Sequence, residues 1–160
     1  MSLTIIAGSR KGKRLATPAG RFVRPTSGRV REAMFNIIGA AVNQAIVLDL
    51  FAGSGAMGLE ALSRGAAGAV FVDTSTTSLK AIKKNIQACH WNDRARVVDG
   101  DATGDLSHIA PPALSVKNNP DRDSKPDKRF NLIFLDPPYR HPLILPALSV
   151  LHQSRILAVN

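Results

Sequence analysis

The sequence predicts an α/β protein with a doubly wound, mostly parallel sheet, and three observations predict it. From residue 46 onward, short apolar stretches alternate with amphipathic ones, as strands and helices do in a parallel sheet. A glycine-rich turn, DLFAGSGAMG, directly follows the first of these strands, where such sheets bind ligands. Acids stand at or just past the strand ends: Asp49, Asp73, Asp101 and Asp136.

The elements follow in order. IVLDL is a short buried strand, and GAMGLEALSRGA is a helix ending near Gly65. AVFVD is the second strand. STTSLKAIKKNIQACHW is an amphipathic helix with Leu79, Ile82 and Ile86 inward. ARVVDGDA is a third strand and its exit, and FNLIFLDPPY a fourth. Right-handed crossovers wind these into a Rossmann-like sheet with helices on both faces. A helix over about 143–152 and a last strand, RILAVN, follow. Between them, residues 111–129 are rich in Pro, Asn, Asp and Lys without apolar periodicity, and read as a flexible surface loop.

Residues 1–40 read as a basic extension and residues 41–160 as the ligand-binding domain. LTII and LATP flank GSRKGK as the strands of a hairpin whose turn carries the charge. In RPTSGRVREAMFNIIG, Thr26 or Ser27 caps a helix, Gly39 closes it, and Val30, Met34, Ile37 and Ile38 form its apolar stripe. Arg29 and Arg31 fall off that stripe.

Charge narrows the partners. The 160 residues hold 21 Lys and Arg against 12 Asp and Glu, for a net charge of +9. Before Glu32 there is no acid at all, while Arg10, Lys11, Lys13, Arg14, Arg21, Arg24, Arg29 and Arg31 all precede it. Such a surface draws polyanions, nucleic acid above all. One cysteine, Cys89, rules out an intrachain disulfide and fits a reducing, cytoplasmic compartment. Cys89 reads as a helix residue. The four histidines are scattered without metal spacing, so no metal is expected. No apolar run reaches membrane-spanning length, so no membrane partner is expected. The basic N-terminus lacks the apolar core of a secretory signal.

Gly53, Gly55 and Gly58 match G-x-G-x-x-G, with Asp73 twenty residues after the first, which fits a dinucleotide. Asp49 and Asp136 argue against that, because they would set negative charge beside a pyrophosphate. S-adenosylmethionine (SAM) carries a sulfonium and an ammonium but no phosphate, so acids suit it. Loop N–H groups can take its carboxylate, and Asp73 can accept both ribose hydroxyls. Asp101 and Ala102 would sit by the adenine, although Asp101 equally fits a helix N-cap.

DPPY, Asp136 to Tyr139, follows an apolar strand. Pro137 and Pro138 fix the backbone and remove two N–H donors. What remains is an acceptor edge, the Asp136 carboxylate and the Pro137 carbonyl, able to receive both hydrogens of an exocyclic amine. Tyr139 supplies a ring to stack a flat base. Paired with DLFAGSG, this is the arrangement of an amino-methyltransferase.

The chain resembles the RsmD family, bacterial SAM-dependent methyltransferases of a guanine amino group in small-subunit (16S) ribosomal RNA. IIAGSRKGKRL, RPTSGRVREAMFNII, VLDLFAGSGAMGLEALSRGA and FLDPPYR carry the resemblance over most of residues 4–140. RPT with RVRE, followed by LEALSRGA, is narrower than DLFAGSG or DPPY. The resemblance implies that Asp49, Phe51, Ala52, Gly53 and Gly55 line the SAM pocket, that Asp73 holds the ribose, and that Asp101 and Ala102 meet the adenine. It puts Asp136, Pro137, Pro138 and Tyr139 at the target base. It implies that Arg10, Lys11, Lys13, Arg14, Arg24, Arg29 and Arg31 grip RNA, naked or in an assembled subunit. Two departures stand out: the loop at 111–129 is long for the family, and the further C-terminal strand pair of its relatives is missing here. A monomer is expected, with the fifth strand an edge prone to pairing. Rival readings are a DNA adenine amino-methyltransferase and a non-catalytic RNA-binding module. A protein-glutamine methyltransferase and an NAD oxidoreductase rank lower.

Overall fold

The computed structural model describes residues 3–18, 27–112, 129–137 and 142–158. Four strands form one parallel sheet: β1 (Ile46–Leu50), β2 (Gly68–Asp73), β3 (Ala95–Asp99) and β4 (Leu132–Leu135), in the order β3-β2-β1-β4. The chain steps outward from β1 through β2 to β3, then returns to the other side of β1 with β4. That reversal makes the carboxyl edge of β1 a topological switch point, the place where such sheets open a crevice.

The helices are α1 (Gly28–Ile38), α2 (Ala56–Ser63), α3 (Thr76–Cys89) and α4 (Ile144–Ser154). Ser27 caps α1, its hydroxyl accepting from the Val30 N–H, and Gly39 closes that helix with a positive φ. Both caps are as the sequence predicts. On α3, Leu79, Ile82 and Ile86 face inward, and Cys89 is buried at its last turn. Every residue of α2 is buried.

The face of α1 corrects the expected stripe. Val30, Met34 and Ile37 are exposed, Ile37 at 87%, while Arg31 and Phe35 are each 1% exposed. The helix is turned by about one residue from the apolar pattern. Phe35 explains the turn: its ring lies 5.5 Å from that of Phe134, and the Arg64 guanidinium sits over it at 4.9 Å. Arg31 follows Phe35 inward and meets Glu60 of α2.

The N-terminal segment folds back as expected, with Thr4 bridged to Arg14 antiparallel and a 3₁₀ turn at Gly8–Arg10 between them. Ile5, Leu15 and Phe35 share one hydrophobic core with Val47, Leu59 and Phe71. The basic extension is therefore packed into the main body through its apolar side chains. Within the described residues, the last strand is shorter than RILAVN suggests. Among the described residues it is a single parallel bridge, Phe130 to Leu157, closed by bonds of 2.8 Å from the Phe130 N–H to the Ile156 carbonyl and from the Ala158 N–H to the Phe130 carbonyl. It still extends the sheet beyond β4. All but the ends of the loop read over 111–129 lies outside the described residues.

Candidate active site

The site is built at the carboxyl edge, and strand register sets its spacing. Leu50 of β1 pairs with Val72 of β2 and with Leu135 of β4, and Asp73 pairs with Asp99 of β3. One residue further along, Asp136, Phe51 and Asp73 therefore stand side by side at the tips of β4, β1 and β2. Asp99 completes the row, an acid that sequence reasoning passed over. The tips of β1 and β4 are neighbours, so the glycine loop and the Asp136–Pro137 edge lie side by side at the carboxyl edge.

The loop after β1 turns through left-handed backbone. Phe51, Gly53 and Gly55 have φ of 58°, 56° and 75°. A left-handed phenylalanine is strained, and such strain concentrates at ligand-binding turns. The Gly55 N–H donates to the Ala52 carbonyl at 2.6 Å, closing the turn, and Gly55 caps α2. The Ala52 N–H donates to the Val72 carbonyl, sewing the loop to β2.

Asp73 organises this loop from the neighbouring strand. One carboxylate oxygen accepts from the Gly53 N–H at 2.7 Å and the other from the Ser75 N–H at 2.8 Å. Each oxygen has a second acceptor position, which suits two ribose hydroxyls. The Gly53 N–H, in turn, is committed to Asp73 and is not a donor for a ligand carboxylate.

Asp49 lies beneath the loop. It is 2% exposed, and its Oδ2 accepts from the Gly58 N–H at 2.9 Å. Burial pushes its carboxyl up to about 8, against the lowering effect of the Gly58 bond; the negative charges of Asp136 and Asp73 push the same way as burial. Those two charges act on Asp49 because all three acids converge on one end of the sheet. Gly58 has no room for a side chain: a Cβ there would meet the Phe71 ring at 2.4 Å and Asp49 Oδ2 at 3.2 Å.

Asp101 is exposed in the turn after β3, where it accepts from the Thr103 N–H and hydroxyl, and these bonds hold its carboxyl below the usual range. It caps a turn and not a helix. Ala102 is buried among Val70, Val72 and Leu106. Pro138 and Tyr139 lie outside the described residues, as do Arg21 and Arg24.

Of the expected RNA-gripping cations, Arg10, Lys11, Lys13, Arg14 and Arg29 are exposed. Arg31 is not, and its assignment to RNA is corrected. Its guanidinium donates to the Thr4 carbonyl at 2.5 Å and lies 3.7 Å from Glu60. A cation this deeply buried cannot reach a phosphate.

Sequence reasoning missed two residues that hold the site together. Glu60 is fully buried and accepts from the Ile6 and Ala7 N–H groups and from Arg64 Nε at 2.8 to 3.0 Å. It fastens the N-terminal segment to α2, directly behind the glycine loop. Its signal was a carboxylate inside the apolar run GLEALS, in a chain whose first 31 residues offer cations and no acid. Asn85, 2% exposed on α3, accepts from the Ala16 N–H at 2.7 Å and donates to the carbonyls of Ala16 at 2.9 Å and Ser54 at 3.1 Å. One amide thus joins the basic arm to the glycine loop.

Methyltransferases of the Rossmann-like class are built on this sheet, with a glycine turn and an acid on adjacent strands and an acidic, prolyl tip on the strand beside them, and the chain is of that class. The comparisons narrow it. The family described as Conserved hypothetical protein 95 matches residues 3–160. YlbH of Bacillus subtilis is 36% identical over 155 residues, covering 97% of this chain and 77% of YlbH. Ribosomal RNA small subunit methyltransferase D of Escherichia coli K12 is 35% identical over 156 residues, 98% of this chain and 70% of the relative. The solved structure of yhhF from Escherichia coli superposes with a TM-score of 0.77 at 32% identity, covering 99% of this chain and 76% of that one. The chain belongs to this family, the RsmD family that its motifs resemble.

Proposed function

We propose that the protein transfers a methyl group from SAM to the exocyclic amine of a guanine in small-subunit ribosomal RNA. The observation that supports this reading is the adjacency of the β1 and β4 tips, which sets the glycine loop and the Asp136–Pro137 edge at the same end of neighbouring strands. The Escherichia coli relative, named as a ribosomal RNA small subunit methyltransferase, supports the substrate class.

The residues present fit SAM. Asp73 keeps one acceptor position on each oxygen for the ribose hydroxyls. Asp136 sets negative charge where a sulfonium would lie, Asp49 beneath the loop keeps its proton below about pH 8 and adds no charge there, and no phosphate has to be accommodated. SAM, when bound, supplies an electrophilic methyl group on a positively charged sulfur.

The protein's own groups do the rest. A guanine amine is a weak nucleophile because its lone pair is delocalised into the ring. The Asp136 carboxylate and the Pro137 carbonyl accept its two N–H bonds and hold the nitrogen as it pyramidalises, aiming the lone pair at the methyl carbon. Positive charge grows on the nitrogen, and Asp136 stabilises it there. The resulting ammonium sheds its proton readily, so no strong base is required. Pro137 and Pro138 bring no N–H donors of their own to the edge, and Tyr139 supplies a ring to stack the base. The base must stand outside its own stack or be unpaired. Arg10, Lys11, Lys13, Arg14 and Arg29 hold phosphates of the same RNA.

Incubation with unmodified small ribosomal subunits and SAM, followed by mapping of the modified nucleotide, tests the reading. Methylation of a single guanine at its amino group is expected. Transfer to an adenine of duplex DNA, or none to ribosomal RNA, would overturn it.

A further inference from the structure

We infer that the exposed face of α3, through Lys80 and Lys84, is part of the RNA-binding surface and continues the cationic arm toward the mouth of the active site. The inference rests on the proposed RNA substrate and adds a surface to it.

Two fastenings bring the arm onto α3. Arg10 Nε donates to the Cys89 carbonyl at 3.2 Å, at the C-terminal end of the helix. Six residues later, Ala16 is held by both polar atoms of Asn85, about one helical turn nearer the N-terminal end. Between these points the arm runs along α3 from its C-terminal end toward its N-terminal end. The Cys89 thiol feels this placement: burial raises it, and the positive charges of Lys13 and Arg10 oppose the rise. Because α3 starts just after Asp73, its N-terminal end is at the carboxyl edge of the sheet. The arm therefore leads from the far edge toward the crevice.

The helix beneath is cationic on its open side. Residues Thr76–Cys89 include Lys80, Lys83 and Lys84, all exposed, and no acid. Lys84 adjoins Asn85, which faces the arm. Lys80 lies four residues before Lys84 and so one turn nearer the crevice on the same face. Lys11, Lys13 and Arg14 on the arm and Lys84 and Lys80 on the helix thus make one path of like charge. Nothing on α3 neutralises it. A polyanion laid along the arm toward Asp136 would pass these lysines, whereas a neutral or cationic partner would gain nothing from them.

The test measures binding of the full chain to a labelled small-subunit ribosomal RNA transcript across a salt series. Three proteins are compared: wild type, Lys80→Ala/Lys84→Ala, and Lys11→Ala/Lys13→Ala/Arg14→Ala. Each phosphate contact contributes about 0.7 to 0.9 to the slope of log affinity against log salt. The α3 variant should bind more weakly at low salt, with a slope shallower by about 1 to 2. Its thermal midpoint should be unchanged, because both side chains are on the surface. An unchanged slope and affinity for the α3 variant, with weakened binding by the arm variant, would overturn the role of α3 and leave the RNA reading standing. Absence of salt-dependent binding by wild type would instead overturn the RNA reading itself.

Discussion

The Asp73 carboxylate accepts a hydrogen bond from the Gly53 N–H at 2.7 Å, linking the tip of the second strand to the glycine loop of the first. A residue proposed to hold the ribose therefore also sets the shape of the loop. Asp73→Asn would turn an amide donor toward one of two backbone donors, Gly53 or Ser75. With bonds to charged groups contributing about 1.5 to 3 kcal/mol, SAM affinity should fall by about 10- to 100-fold. Isothermal titration with SAM checks this, and unchanged affinity would remove Asp73 from the site.

Asp49 makes stability depend on pH in a defined direction. Its carboxyl is raised from 3.8 to about 8 in the folded protein. Between those values the folded state keeps a proton that the unfolded state has lost, so stability falls as pH rises through this window and levels off above it. Asp49→Asn carries no such proton and should lack this component. Urea midpoints of wild type and variant at about pH 5 and about pH 8 test it. The variant should lose less stability between the two values than wild type; an equal loss would show that Asp49 is ionised throughout.

Glu60 should be the most sensitive charged residue for folding. It is fully buried and holds Ile6, Ala7 and Arg64 directly, with Arg31 close by. Glu60→Ala would leave Arg31 buried without its counter-charge, at a cost of about 3 to 5 kcal/mol. Glu60→Gln keeps one acceptor oxygen and should be milder. Denaturant unfolding of both variants gives the comparison.

Gly58 sits where the loop enters α2, against the Phe71 ring. Gly58→Ala should destabilise by about 1 to 3 kcal/mol through overpacking. Adding Phe71→Leu should recover part of that loss, because the two side chains contend for one space. Thermal midpoints of the single and double variants decide it.

Much of this was legible from local pattern. Alternating short strands and helices, the Ser27 and Gly39 caps and the glycine turn are all specified by neighbours in sequence, and each formed where the pattern put it. What escaped depended on partners far along the chain. The apolar stripe of α1 pointed through Val30 and Met34, yet Phe35 chose the inward face because Phe134, about a hundred residues away, offered a ring. Arg31 read as a surface cation because its counter-ion lies on another helix. Asn85 looked like an ordinary helix amide, and only the path of the arm gives its two polar ends their partners. The apolar run RILAVN reads as a full-length strand, but among the described residues one bridge to Phe130 is what forms.

Asp136, beside the β1 tip, is proposed to hold the amine that receives the methyl group. Asp136→Ala, assayed for tritium transfer from labelled SAM to small ribosomal subunits and for SAM binding by calorimetry, tests it most directly. Methyl transfer should be lowered by at least about a hundredfold, as when a transition-state stabiliser is removed, with SAM still bound. Methylation near the wild-type rate would contradict it.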